Sequence, residues 1–209
     1  MSRQSQQVGM WPWRRIVGGV GGWQQQVRCR ERLERLATST LDCESVQREA
    51  ITDLQRLVGF DRWCWPIADP KTLLPLSGVA EHDYGPRLPR ALELEYSGSD
   101  FAAKDVLARR ANLSGSLRTE TGGDLARSAR WDEVMRTVGI GDIAVVTCRD
   151  AQGCWGWLEP TATAATGRSM MTTWSFSRMP VRLWARRFGA AWGSRRRLTG
   201  MRPSPAPPE

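Results

Sequence analysis

The sequence holds one histidine, His82, between Glu81 and Asp83. An imidazole flanked by carboxylates has the parts of a general base. No nucleophile is spaced near it, so the trio reads as a solvated polar loop and no catalytic residue is assigned. Five cysteines, Cys29, Cys43, Cys64, Cys148 and Cys154, form no CxxC pair, which leaves a zinc site without ligands. Cys148 and Cys154 flank a turn, where a dithiol could work, but thiols in strands more commonly pack as small hydrophobes. Gly122-Gly123 and Gly139-Ile140-Gly141 are too short to cradle a phosphate. The expectation is a protein with no metal, no cofactor and no enzymatic activity.

Tryptophan offers more. In "RWCWPIA" Trp63, Trp65 and Ile67 alternate onto one face of a strand, and in "CWGWLE" Trp155 and Trp157 share a face by the same period. Apolar and aromatic linings with a few polar groups are the usual walls of a small-molecule pocket, so these four are the ligand-pocket candidates. Large aromatic side chains equally dominate ordinary cores, and both readings stand at this point.

These residues need elements to hold them. "CRERLERLA" places Leu33, Leu36 and Ala37 on one helical face. A second helix follows, with Asp42 as N-cap, a stripe of Val46, Ala50, Ile51, Leu54, Leu57 and Val58, and Gly59 as its stop. "ADPKT" predicts a turn joining two strands, and Pro66 and Pro75, lacking a ladder donor, belong at edges or bulges. "RLPRALELEY" and "SDFAAKDVLARR" have helical spacing, the second capped by Ser99 or Asp100. "SLRTETGGDLARS" reads as loop, and Asp132 to Thr137 as a short helix stopped by Gly139. Ile143 to Arg149 and Cys154 to Glu159 form a closing hairpin around "DAQG". The order predicts an α+β domain of two layers, an antiparallel sheet flanked by helices.

The net charge of +8 suggests a polyanion partner until its position is mapped. Residues 161–209 carry nine arginines and one acid, which is the entire excess, and residues 1–30 add five arginines. Residues 31–160 carry −5. The part expected to fold is mildly acidic. No run of about 20 apolar residues is present to span a bilayer, and no secretory leader is evident, so a cytoplasmic protein with reduced thiols is expected.

Helical entry, a first hairpin, an irregular helical middle and a closing hairpin resemble a GAF domain. In finer texture "GFDRWCWPIADPKTLLPLSGVAEHDYG", "ELEYSGSDFAAK", "TGGDLARSARWDEVMR" and "GIGDIAVVTCRDAQGCWGW" resemble the N-terminal segment of LuxR-type helix-turn-helix regulators from high-GC bacteria. The likeness spans about residues 30–160. It implies a sensor domain that binds an unidentified small molecule, a homodimer through the entry helices, and DNA as a partner only in intact relatives. No bilin-attachment pair and no haem-ligand arrangement maps onto these residues.

The domain division expected is thus a disordered extension over 1–27, a GAF-like sensor domain over 28–160, and a disordered basic tail over 161–209. No helix-turn-helix is recognisable in the tail. Arginine outnumbers lysine 28 to 2, a mark of GC-rich coding DNA. Regrouping the codon bases forced by Met170, Met171, Trp174, Met179 and Trp184 yields an acidic-capped amphipathic helix of the kind that should close the domain. The tail is therefore expected to be frameshifted and the chain to be a truncated regulator, its sheet left with an uncovered apolar patch. The alternative is a tail that binds nucleic acid or anionic membrane through arginines and aromatics, with Val181, Trp184, Ala185, Phe188 and Trp192 on one helical face.

Overall fold

The computed structural model describes residues 20–81, 84–98, 100–167, 170 and 184–189. His82, Asp83, Ser99 and most of the two extensions lie outside them, and with them the expectations placed there.

Helix α1 (Val20–Thr38) pairs with α2 (Cys43–Val58). The entry helix begins eight residues before the boundary expected at 28, over a stretch that showed no period. Asp42 caps α2 as its side chain predicts, Oδ1 accepting from the Ser45 amide at 3.0 Å. Gly59 ends the helix at φ 79°, returning its N–H to the Gln55 carbonyl. The stripe read from the sequence is the buried face of α2, with Leu57 only partly buried.

Five strands form one antiparallel sheet in the order β2-β1-β5-β4-β3: β1 (Arg62–Ala68), β2 (Pro75–Ala80), β3 (Ser114–Ser116), β4 (Ile140–Asp150) and β5 (Gly153–Thr163). Between the hairpins come α3 (Leu88–Tyr96), α4 (Lys104–Arg109), α5 (Leu117–Glu120) and α6 (Ala129–Glu133). The element order is the one that the GAF resemblance implies. Both hairpins form where their turn residues sit: Asp69 Oδ1 accepts from the amides of Lys71 and Thr72, and Asp150 Oδ1 from that of Gln152. Helix α5 occupies the start of the stretch read as loop, because Ser116, the last residue of the short β3, serves as N-cap to the Thr119 amide and starts a helical turn.

Each sheet face has its own core. On the first, α1 and α2 pack onto Trp63, Trp65, Val79, Ala144, Val146, Cys148, Trp155 and Leu158. On the second, the middle of the chain, through residues such as Leu107, Leu117, Leu125 and Met135, packs onto Ile143, Val145, Cys154 and Trp157.

Two expectations are corrected here. Pro66, expected at an edge or a bulge, lies in β1, an internal strand, one residue before the register shift against β2 at Ile67/Ala68. The β1–β5 pairing passes from Cys64↔Glu159 to Ile67↔Gly156, and the ladder relaxes around the proline. The Trp65 carbonyl accepts instead from Gln47 Nε2 on α2 at 3.0 Å. Glycines stand on either side: a Cβ on Gly78 of β2 would come 2.6 Å from the Pro66 Cα, and one on Gly156 of β5 would fall on the Pro66 carbonyl oxygen.

The second correction concerns the tail. Strand β5 continues to Thr163, and residues 184–189 form a helical turn with Trp184, Ala185 and Phe188 buried in the first core. The turn sits on that face because Trp65 offers an aromatic surface: its ring centroid is 5.0 Å from that of Trp184 and 6.0 Å, edge-on, from that of Phe188. Gly189 allows close approach to the Trp155 ring. Arg187 donates to the carbonyls of Ala37, Ser39 and Leu41, satisfying backbone acceptors at the end of α1 and in the turn that follows. The patch expected to stand open is therefore filled at this point by the chain's own residues.

Candidate functional site

The four tryptophan candidates do not converge. Trp63, Trp65 and Trp155 face the first core, and Trp157 faces the second. Strict alternation would put Trp155 and Trp157 together, but the β4–β5 register runs from Thr147↔Trp157 to Arg149↔Cys154, so three steps on β5 oppose two on β4. The extra residue is a β-bulge at Trp155–Gly156. It reverses the facing of every later β5 residue relative to the hairpin end. Trp157 and Glu159 thereby come to the second face. A glycine between two tryptophans was the sequence signal for this bulge.

All four indoles are buried. Trp155 Nε1 donates to Asp150 Oδ1 at 3.1 Å. Trp157 is 0% exposed and, among the described residues, its Nε1 finds no acceptor and the Oγ1 of its cross-strand partner Thr147, also 0% exposed, has no partner. Two adjacent buried polar groups are thus left without partners on the second face, among apolar side chains that include Leu107, Leu117 and Met135.

Beside them on β5, Glu159 enters a charge cluster that no motif in the sequence announced. Lys104 Nζ lies 2.8 Å from Glu95 Oε2 and 3.1 Å from Glu159 Oε2. Arg130 Nη1 pairs with the same Glu95 oxygen, and its Nε lies 3.2 Å from Asp100 Oδ2. Arg130 Nη2 donates to the Phe101 carbonyl and Ser128 Oγ to Asp100 Oδ2, both at 3.1 Å. All five charged side chains are more than nine-tenths buried. The cluster fastens α3, α4, α6 and the α3–α4 loop to β5.

It also explains how α4 begins. The helix was expected to be capped by Ser99 or Asp100, but its first residue is Lys104, and the Lys104 amide donates to Glu95 Oε1 at 3.0 Å. A carboxylate from the preceding helix does the capping, while Asp100 is turned to Arg130.

Burial pushes the Glu95 carboxyl upward, but the adjoining Arg130 and Lys104 outweigh it and hold it well below the usual carboxylate range. Glu159 goes the other way: burial raises it, Lys104 opposes, and nearby Glu95 adds to the rise. Cys64, across the ladder from Glu159, is pushed by burial up to about 12, and Tyr84 is raised by the same cause.

These groups could hold ions and protons but include no activated nucleophile. Cys148 and Cys154 face opposite cores, which separates the two thiols that the sequence placed around one turn. Among the described residues no group of three His, Cys, Asp or Glu side chains could hold a metal ion, and no helix is long and apolar enough to cross a membrane. Of the side chains that a nucleic-acid or membrane reading needs from 184–189, Trp184 and Phe188 are buried and Arg187 is engaged with backbone carbonyls, while Arg186 is exposed.

No protein-family model matches the chain, and no curated protein matches it in sequence. Among solved structures it is similar to the chromophore-binding domain of the bacteriophytochrome RpBphP3 from R. palustris, at 13% identity and a TM-score of 0.46, covering 88% of this chain and 65% of that one. It is also similar to a structure titled as the bacteriophytochrome RpBphP3 itself, at 14% identity and a TM-score of 0.42, covering 88% of this chain and 41% of that one. This chain spans less than two thirds of either.

Proposed function

We propose that this chain is a GAF-like sensor module of a LuxR-type transcriptional regulator, cytoplasmic and without catalytic activity, that takes up a small molecule between the second face of its sheet and the helices covering it. The observation that carries this reading is the pair Thr147 Oγ1 and Trp157 Nε1, buried side by side with no partner. Such groups cost roughly 1–3 kcal/mol each when left unsatisfied, and a ligand bearing an acceptor for the indole N–H and a donor or acceptor for the hydroxyl would recover that cost. Of the four pocket candidates, Trp157 is the one whose open indole N–H stands across the ladder from an open hydroxyl on the second face, although Trp65 Nε1 is likewise unpartnered among the described residues. Trp63, Trp65 and Trp155 are packing residues of the opposite core.

In this reading the helical cover, held by charge rather than by apolar contact alone, has two arrangements, and the ligand biases their balance. The cover would communicate with a helix-turn-helix output in intact relatives, and a homodimer through α1 and α2 would be the assembly. The frame-slippage reading of the tail is a statement about coding DNA, tested by resequencing the locus. Burial of Trp184, Ala185 and Phe188 counts against it.

Native mass spectrometry of protein purified from its own cells tests the pocket. A small-molecule adduct is expected on the wild type and should be absent from the Thr147→Val, Trp157→Phe double variant, which removes both polar atoms and little volume. An adduct retained by the double variant, or no adduct and no ligand-induced thermal shift across a metabolite library, would end the proposal.

A further inference from the structure

The buried cluster on the second face contains three acids, Glu95, Asp100 and Glu159, against two bases, Lys104 and Arg130. With every group ionised it would hold one uncompensated negative charge away from water, which is strongly disfavoured. A single proton would balance it. The geometry says where the proton goes. Glu95 contacts both cations, and Asp100 has Arg130 and the Ser128 hydroxyl. Glu159 has only Lys104, at the longer of that ammonium's two contacts, and it shares Lys104 with Glu95.

We infer that Glu159 is a buried proton-binding site, protonated when the helical cover is seated on the sheet, so that losing the proton loosens α3, α4 and α6 from β5. The titratable and charged groups that act on Glu159 from the neighbouring elements are Glu95 and Tyr96 of α3, Lys104 of α4, Arg130 of α6, Cys64 of β1 and Tyr84 of the loop before α3. Cys64, Tyr84 and Tyr96 are held in their neutral forms by burial, so none adds to the negative charge of the cluster. The upward displacement of the Glu159 carboxyl agrees with this count.

The sign follows from linkage. An acid whose folded value lies above its unfolded value of ~4.3 favours the folded state less and less as pH rises from that value to the folded one. The cover is therefore tightest in acid and eases toward neutral or alkaline pH. As a regulatory device this rests on the sensor reading above, because the same cover closes over the proposed ligand. The proton site itself does not.

Carbon-13 NMR of the glutamate carboxyls in the wild-type chain is the decisive measurement. One glutamate, assigned to Glu159 by its loss in Glu159→Gln, is expected to titrate above the ordinary glutamate range. Glu159→Gln keeps an acceptor for Lys104 and cannot ionise, so its melting temperature should fall less than the wild type's between pH 5 and pH 8. Titration of Glu159 at or below the ordinary glutamate range would overturn the inference, whether or not the variant folds. So would parallel melting profiles in a folded Glu159→Gln. Neither readout involves a ligand, so failure of the sensor reading leaves this test intact.

Discussion

The indole of Trp65, in the middle of β1, is in contact with that of Trp184, 119 residues later, with ring centroids 5.0 Å apart and planes inclined by 41°. Phe188 completes the group at 6.0 Å from Trp65 and 6.3 Å from Trp184. This contact makes the 184–189 turn a structural part of the first core. Trp184→Ala should then cost about 3–5 kcal/mol, the usual range for deleting a buried aromatic. Urea unfolding followed by circular dichroism reads the change, and an unchanged midpoint would mean that the turn does not pack in solution.

The bulge at Trp155–Gly156 gives a second test. Gly156 has φ +154°, and a Cβ there would collide with the Pro66 carbonyl, a backbone atom with little room to yield. Gly156→Ala is expected to destabilise by at least about 1–3 kcal/mol, from overpacking between two central strands. Thermal melts of the two proteins side by side would show it. A melting point within a degree of wild type would mean that the strands do not approach so closely.

Glu95 predicts a pH dependence opposite to that of Glu159. Its folded value is depressed by Arg130 and Lys104, so it contributes stability that is fully present above the unfolded value of ~4.3 and is lost as pH falls through the folded one. Glu95→Gln removes the carboxylate shared by two buried cations and should cost about 3–5 kcal/mol at pH 7. The penalty should shrink steadily below pH ~4. A penalty independent of pH would show that the side chain's shape, not its charge, matters.

Thiol reactivity should follow burial. Desolvation is the main cause that pushes Cys29 and Cys154 up to about 11 and Cys64 to about 12, and it raises Cys148 as well. Cys43, at the start of α2, and Cys64, in β1, are partly exposed, and the other three are buried. Iodoacetamide at neutral pH is expected to label Cys43 first, Cys64 more slowly because its thiol is raised, and Cys29, Cys148 and Cys154 only when the protein unfolds. Peptide mapping checks the order, and early modification of Cys148 or Cys154 would contradict the two-core arrangement.

Much of the local structure was written in the sequence because its causes are local. Asp42 and Gly59 bound α2, the turn residues at Asp69 and Asp150 set the two hairpins, and the spacing of Val46 through Val58 gave the buried face of that helix. Each depends on a side chain acting within a few residues of itself. The α+β class followed from the order of those elements.

What tertiary structure alone decided lies in contacts between distant segments. Alternation put Trp155 and Trp157 on one face, and only the pairing of β5 with its neighbours shows the bulge that parts them. The charge cluster joins residues from 95 to 159 that share no spacing, so no periodicity could reveal it. The entry helix before residue 28 carries no helical signature, and the turn at 184–189, whose Trp184, Ala185 and Phe188 do fall on one helical face, ends in a glycine and shows nothing along the chain of where that face packs. Trp184 and Phe188 take their place because Trp65 and the α1–α2 pair leave an apolar surface that water disfavours, and that force acts on proximity in space, which a reading along the chain does not measure.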